Sequence, residues 1–212
     1  MNRASRHGLA AEDLVCVRGE RLVFRDLHFA LGPGEALVLT GPNGSGKSSL
    51  LRLLAGLLAP AAGRIFWNGA DVADDAEAHR ARLAYVGHHN AVKRQLTVAE
   101  NLTFWAGLYG GAGAAARAAA ALDRLGIDHL ADVPAALLSA GQHRRLALAR
   151  IAAAPAPLWL LDEPTVTLDE SSVGVVETLI AEQRAGGGLV VVATHTGLEV
   201  PGARRIELGG AS

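Results

Sequence analysis

The chain holds a single cysteine, Cys16, in 212 residues, so no internal disulfide can form and nothing points to an oxidising compartment. It has no block of basic residues and a formal net charge of −1, which argues against a surface that follows a nucleic-acid duplex. No run of eighteen or more uncharged apolar residues exists that could cross a bilayer as a helix; the longest candidate, Leu102 to Ala116, is broken by glycines. The opening Met1-Asn2-Arg3-Ala4-Ser5-Arg6 is not followed by the apolar stretch of a secretory signal. Lysine is scarce as well: 18 of the 20 basic residues are arginine, as GC-rich codon usage would produce, which leaves only Lys47 and Lys93. These absences lead to the expectation of a soluble, cytosolic chain with no membrane span of its own and no nucleic-acid partner.

Half of the residues are hydrophobic and 19% are charged, the balance of one globular domain able to bury a core without staples. Leu14 to Ala30 alternates apolar and polar side chains, as a pair of half-buried antiparallel strands would. Ala36 to Thr40, Leu158 to Leu161 and Leu189 to Ala193 are nearly continuous apolar runs, the pattern of strands buried on both faces. Gly63 to Gly69 reads as a further strand ending in the Asn68-Gly69 turn pair. Between these pieces the character changes. Thr97 with Glu100 three residues on is a capping box opening a helix that carries Leu102, Phe104 and Trp105. Gly110 to Gly113 interrupts it, and Ala114 to Leu125 is an alanine-rich second helix. The expected organisation is an α/β core over about 1–90 and 155–212 with a helical subdomain over about 97–150, and no internal repeat.

The chemistry begins at Gly41-Pro42-Asn43-Gly44-Ser45-Gly46-Lys47-Ser48, followed by Ser49 and a leucine-rich helix expected to run to Leu58 and break at Pro60. A strand, a glycine loop and a helix in that order form the setting of a phosphate cradle. The glycines let backbone N–H groups face an anion, and the helix adds its positive end. Lys47 would reach the β- and γ-phosphates and the Ser48 hydroxyl would ligate Mg²⁺. Asp162-Glu163, at the end of the apolar run Leu158 to Leu161, supplies the complementary acids: one to hold Mg²⁺ through water, one to polarise an attacking water.

A third segment, Leu138-Ser139-Ala140-Gly141-Gln142, precedes a helix expected over His143 to Ala154. With the phosphate loop and Leu158 to Glu163, in that order and spacing, the chain resembles the ABC-type ATPases, the nucleotide-binding subunits of ABC transporters, over nearly its whole length. The resemblance implies a P-loop NTPase of ABC-ATPase type: a RecA-like α/β core, an N-terminal antiparallel β subdomain and a helical signature subdomain, in one domain over 1–212. It implies ATP and Mg²⁺ as ligands and a head-to-tail dimer, in which Leu138 to Gln142 of one subunit caps the ATP held by the phosphate loop of the other. It also implies that Asp169 belongs to the loop communicating across the dimer, although Val166 and Thr167 replace the commoner Ser-Ala, and that His195 is the switch histidine on the γ-phosphate. A lone histidine after a strand is otherwise a polar loop residue; its place after Thr194 favours the switch.

Two positions depart from the family. Counting back from Leu96 to Asn101, His88 stands where the family has a glutamine, and an imidazole cannot mimic both ends of an amide. Water and Mg²⁺ positioning there would differ and hydrolysis would be slower. His88 and His89 together could hold a metal or haem only if their rings converged, and adjacent side chains on an extended loop point apart. Arg18 stands where the family stacks an aromatic ring on adenine. Its guanidinium can stack on a base, with relaxed discrimination between ATP and GTP, or it is a solvated strand-edge residue. The short chain, with only a tail from Ile206 to Ser212 after the last strand, leaves no place for an appended regulatory domain. With Gly87-His88-His89 and Ser139 to Arg145 it resembles the ATP-binding subunits of the bacterial cytochrome c maturation system. That resemblance implies integral membrane permease partners at the cytoplasmic face of the inner membrane and a role in haem export. The same motifs would serve another importer or exporter, and a non-transport ATPase of this family would need a second ATPase half or a coiled-coil insertion.

Overall fold

The computed structural model describes residues 7–195 and 197–209; the Met1–Arg6 opening and the last residues of the Ile206–Ser212 tail lie outside them. The strands β1 (Leu9–Arg18) and β2 (Arg21–Leu31) form an antiparallel hairpin whose tip pairs Arg18 with Arg21. Along β1 the buried side chains are Leu9 and Ala11, then Leu14 and Cys16, so the inward parity switches once. The switch falls at a register shift where Asp13 adopts φ +53°, an inserted residue that restores the apolar side to the core. β4 (Ala62–Trp67) lies on the other side of β1 and turns into β5 (Ala70–Asp71) through Asn68 and Gly69, both left-handed as a tight hairpin requires. The order of this sheet is β2-β1-β4-β5.

The second sheet is parallel, in the order β6-β7-β8-β3-β9: β6 (Leu83–Val86), β7 (Leu158–Asp162), β8 (Leu189–Ala193), β3 (Ala36–Thr40) and β9 (Arg204–Glu207). Each inner strand feeds both faces. Leu37, Leu39, Leu158, Leu160 and Val191 pack towards the antiparallel sheet, while Val38, Trp159, Leu161, Val190 and Val192 pack towards the helices of the opposite layer. Burial on both faces is why these strands read as unbroken apolar runs. β9 corrects the expectation of a tail from Ile206: Ile206 and Glu207 pair with Leu39 and Thr40 at the sheet edge, and Leu208 is buried.

Six α-helices complete the described chain. α1 (Lys47–Leu54) lies between the sheets with Leu50, Leu51, Leu53 and Leu54 each at most 1% exposed, worth about 1.5–3 kcal/mol apiece by burial. It ends before the expected Leu58. Gly56, at φ +65°, reverses the chain, and the N–H of Leu57 bonds back to the Arg52 carbonyl, so the glycine and not Pro60 stops the helix. α2 (Ala76–Ala81) and α6 (Glu170–Ala185) went unread in the sequence. α3 (Val98–Gly107) has the expected capping box, and α4 (Ala114–Arg124) follows it. Ala114, Ala118, Ala121 and Leu122 form the buried stripe of α4, so part of its alanine content serves close packing. α5 (Ala140–Ala152) starts three residues before the expected His143, because Ser139 and Gln142 form a second capping box.

Candidate functional site

The C-terminal ends of β3, β6, β7 and β8 lie along one edge of the parallel sheet, which is where an open α/β sheet presents its ligand crevice. The loops leaving those ends carry Gly41 to Gly46, Gly87 to His89, Glu163 to Thr167 and Thr194-His195. They enclose a cavity of about 500 Å³ lined by Asn43, Gly44, Gly46, Lys47, Ser48, Ser49, His88, Asp162, Glu163 and His195, with Arg18, Arg21 and Val23 from the hairpin at its far end.

The glycine loop is shaped by close approach. A Cβ on Gly41 would meet the Leu208 carbonyl oxygen at 2.1 Å, and one on Gly46, at φ +106°, would meet Val23 Cγ1 at 2.5 Å. The loop delivers Lys47 to a position where the residue is only 6% exposed. Its ammonium donates to the carbonyls of Gly41 (2.7 Å) and Pro42 (3.1 Å), and among the described residues it forms no ion pair with a carboxylate. The Ser45 hydroxyl is buried without a partner in the same loop. A buried cation beside an unused donor is an arrangement that an anion completes.

Ser48 Oγ donates to Asp162 Oδ1 at 3.0 Å. The other carboxylate oxygen, Oδ2, is buried with no hydrogen-bond partner, and Asp162 is 2% exposed. An oxygen pair of this kind, one hydroxyl and one carboxylate with an unfilled coordination position, fits a hard divalent cation. Glu163 follows at φ +49°, a left-handed conformation rare for a residue with a Cβ, and its N–H donates to the Ala193 carbonyl at 2.8 Å. Its Oε1 lies 2.8 Å from His195 Nδ1, and its Oε2 accepts the His195 backbone N–H at 3.3 Å. Two contacts from one residue thus orient the carboxylate towards the cavity.

His88 lines this cavity and also a neighbouring one of about 400 Å³ that Leu138, Ala140, His143 and Glu163 share. The expectation that His88 and His89 point apart is corrected. The chain bends at both residues, and their rings meet edge to face with centroids 5.6 Å apart. They gather no third ligand of the kind a metal cluster needs among the described residues. Ser139 Oγ accepts the Gln142 N–H (3.2 Å) while Gln142 Oε1 accepts the Ser139 N–H (2.8 Å), and Leu138 to Gln142 stays out of the first cavity. Asp169 also lies outside it, as the N-cap of α6 and an ion-pair partner of Arg145 at 2.9 Å. Its carboxyl is lowered from 3.8 to about 2, first by the Ser172 hydroxyl and N–H, then by Ser171 and Arg145.

Three contributors escaped the sequence reading. Arg21 and Val23 enter the cavity because the hairpin folds over the glycine loop, which no local pattern announces. Arg144, in the second turn of α5, is 4% exposed and packs behind Asp162 and Glu163; its partners are spread over some 80 residues of sequence. The second capping box was legible as Ser-x-x-Gln.

Residues 24–166 match the family model described as "ABC transporter". The chain is 58% identical over 201 residues to the cytochrome c biogenesis ATP-binding export protein CcmA of Paramagnetospirillum magneticum, covering 94% of this chain and 93% of that one. It is 58% identical to the protein of the same description from Rhodospirillum rubrum, covering 94% and 84%. Among solved structures it is similar to an ATP binding subunit of an ABC transporter (TM-score 0.80, 28% identity, covering 88% of this chain and 79% of that one). It is also similar to a dimeric ATP-binding cassette in a post-hydrolysis state with ADP and Pi (TM-score 0.77, 26% identity, 89% and 88% covered). With the family model matching residues 24–166 and relatives 58% identical over 94% of its length, the chain belongs to the ABC transporter family.

Proposed function

We propose that the chain is the ATP-binding and ATP-hydrolysing subunit of a membrane complex that serves haem export in c-type cytochrome biogenesis. The hydrolytic part rests on one observation above the others: Glu163, strained and held 2.8 Å from His195, stands beside a Ser48–Asp162 pair with an unpartnered buried oxygen. Backbone N–H groups of Gly44 to Ser48 and the N-terminus of α1 receive the β- and γ-phosphates, and Lys47 leaves its loop carbonyls to neutralise them. Ser48 and Asp162 would hold Mg²⁺, which would supply charge neutralisation at the phosphates. Glu163 orients and polarises the attacking water, and His195 contacts the γ-phosphate while fixing the Glu163 carboxylate. His88 stands at the glutamine's position on the same water, and Arg18 packs against the base.

Leu138 to Gln142 lies away from the chain's own cavity, and a dimeric relative exists with nucleotide products bound, so the active unit is a head-to-tail dimer. Ser139 and the start of α5 then complete the ATP site of the opposite subunit, and Asp169 communicates across the joint. The cytochrome c biogenesis and export reading is supported by the 58% identity to proteins of that description, and haem as the cargo is what the resemblance in the sequence implies. Among the described residues no helix is long and apolar enough to cross a membrane. An apolar groove of about 340 Å³ between core and helices, edged by exposed Leu57 and Leu108, suits a cytoplasmic segment of an integral membrane partner at the inner membrane. The test is to express Glu163→Gln in the native host, solubilise membranes with MgATP and identify what copurifies. Small cytochrome-maturation membrane proteins with haem support the reading, a different permease discards the haem role, and no membrane partner discards transport.

A further inference from the structure

The guanidinium of Arg144 has five N–H donors, and all are engaged. Nε donates to the Pro164 carbonyl at 3.1 Å. One terminal nitrogen donates to the Gly87 carbonyl and to Asn90 Oδ1, both at 3.0 Å. The other donates to the carbonyls of Asp162 (2.6 Å) and Glu163 (2.7 Å). The residue is 4% exposed. Burial works against the charge, and the Asp162 and Glu163 carboxylates nearby favour it.

These five bonds connect three segments: the helix opened by Ser139, the turn that carries Asp162 and Glu163, and the loop that carries His88, to which Arg150 of the same helix adds a bond at the Asn90 carbonyl (3.0 Å). We infer that Arg144 is a positioning residue for ATP hydrolysis, tying the signature helix to the turn that holds Glu163 and to the His88 loop. The inference rests on the ATPase reading above. Its physical basis is the planar fork. Glu163 sits at φ +49°, a conformation that persists only where its surroundings impose it, and its carbonyl is held from behind by Arg144 while its side chain is held in front by His195. A helix is stiff, so a rotation of α5 that brings Ser139 to a partner subunit's nucleotide carries the guanidinium with it. The Glu163 turn and the His88 loop must follow. Formation of the signature contact and alignment of the polarising carboxylate thereby become one movement. A lysine offers a point charge with three donors and cannot span the three segments.

The experiment compares the full chain with Arg144→Lys, Arg144→Gln and Asn90→Ala, measuring kcat and KM for MgATP, binding of a fluorescent ATP analogue, and Tm. The expected result is a fall in kcat of roughly tenfold or more, the scale of one lost charge-assisted hydrogen bond, with nucleotide Kd changed less than about threefold. Arg144→Lys should fail to restore kcat despite keeping the charge. Asn90→Ala severs one arm to the His88 loop and leaves the other four bonds, so it should lower kcat with Tm and Kd unchanged, even if the Arg144 variants unfold. Wild-type kcat in Arg144→Lys or in Asn90→Ala overturns the inference, as does a loss carried by Kd rather than kcat. If the unsubstituted chain does not hydrolyse MgATP, and Lys47→Ala changes nothing, the ATPase reading itself falls, a separable outcome.

Discussion

Lys47 is a buried ammonium whose hydrogen bonds go to two backbone carbonyls, and such a charge is stabilised far better by an anion. Lys47→Ala should therefore weaken ATP binding by about 1.5–3 kcal/mol, the worth of a hydrogen bond to a charged group, read by calorimetric titration. An unchanged Kd would remove Lys47 from the phosphate site. Gly46→Ala tests the loop itself. At φ +106° with Val23 Cγ1 in the way, a methyl group costs about 1–3 kcal/mol of strain, so lower Tm and lost binding should appear together. Asp169 gives a pH prediction. Its carboxyl is depressed from 3.8 to about 2 in the folded chain, so its stabilising contacts are complete above about pH 4 and are lost as pH falls towards 2. An NMR titration of the Asp169 carboxyl should show a midpoint near 2, and a midpoint near the ordinary value would contradict the Ser172, Ser171 and Arg145 contacts.

At the level of elements, α5 carries two functions at one residue. Ser139 Oγ caps the helix through the Gln142 N–H, a contact worth about 1 kcal/mol of stability. In the proposed dimer it would also face the opposite subunit's nucleotide. Ser139→Ala should then cost only that much in urea unfolding while lowering hydrolysis by a larger factor; matched small losses would leave Ser139 as a cap alone. Which elements were legible follows from how each is buried. β3, β7 and β8 were readable to within a residue because burial on both faces leaves a polar residue only at the last position of β3 and of β7 and none in β8. The capping box of α3 was readable because both partners are local in sequence. α6 was missed although Val176, Leu179 and Ile180 have helical spacing, since Gly174 and polar neighbours dilute the pattern. The end of α1 was misplaced because Pro60 is a louder breaker than Gly56, yet the left-handed glycine acts first. Glycine-loop and acidic positions could be read from spacing. Arg144 and Arg21 could not, because their partners are assembled by the fold from distant segments.

Across the whole molecule, one sheet edge gathers Lys47, Ser48, Asp162, Glu163 and His195 around a single cavity, with His88 at the passage to a second. Leu138 and Ala140 of the signature segment line that second region, outside the cavity of the chain's own phosphate loop. In the head-to-tail dimer proposed above, one chain would hold two half-sites and two copies would complete both. Binding of ATP should draw copies together, and hydrolysis should release them. The measurement that bears most directly on this account is hydrolysis and oligomeric state of Glu163→Gln with MgATP, beside the unsubstituted chain. The account predicts retained ATP binding, a kcat lowered about 10²-fold or more, and a stable dimer by size-exclusion chromatography with light scattering. Hydrolysis at the unsubstituted rate, or a variant that stays monomeric with ATP bound, would contradict it.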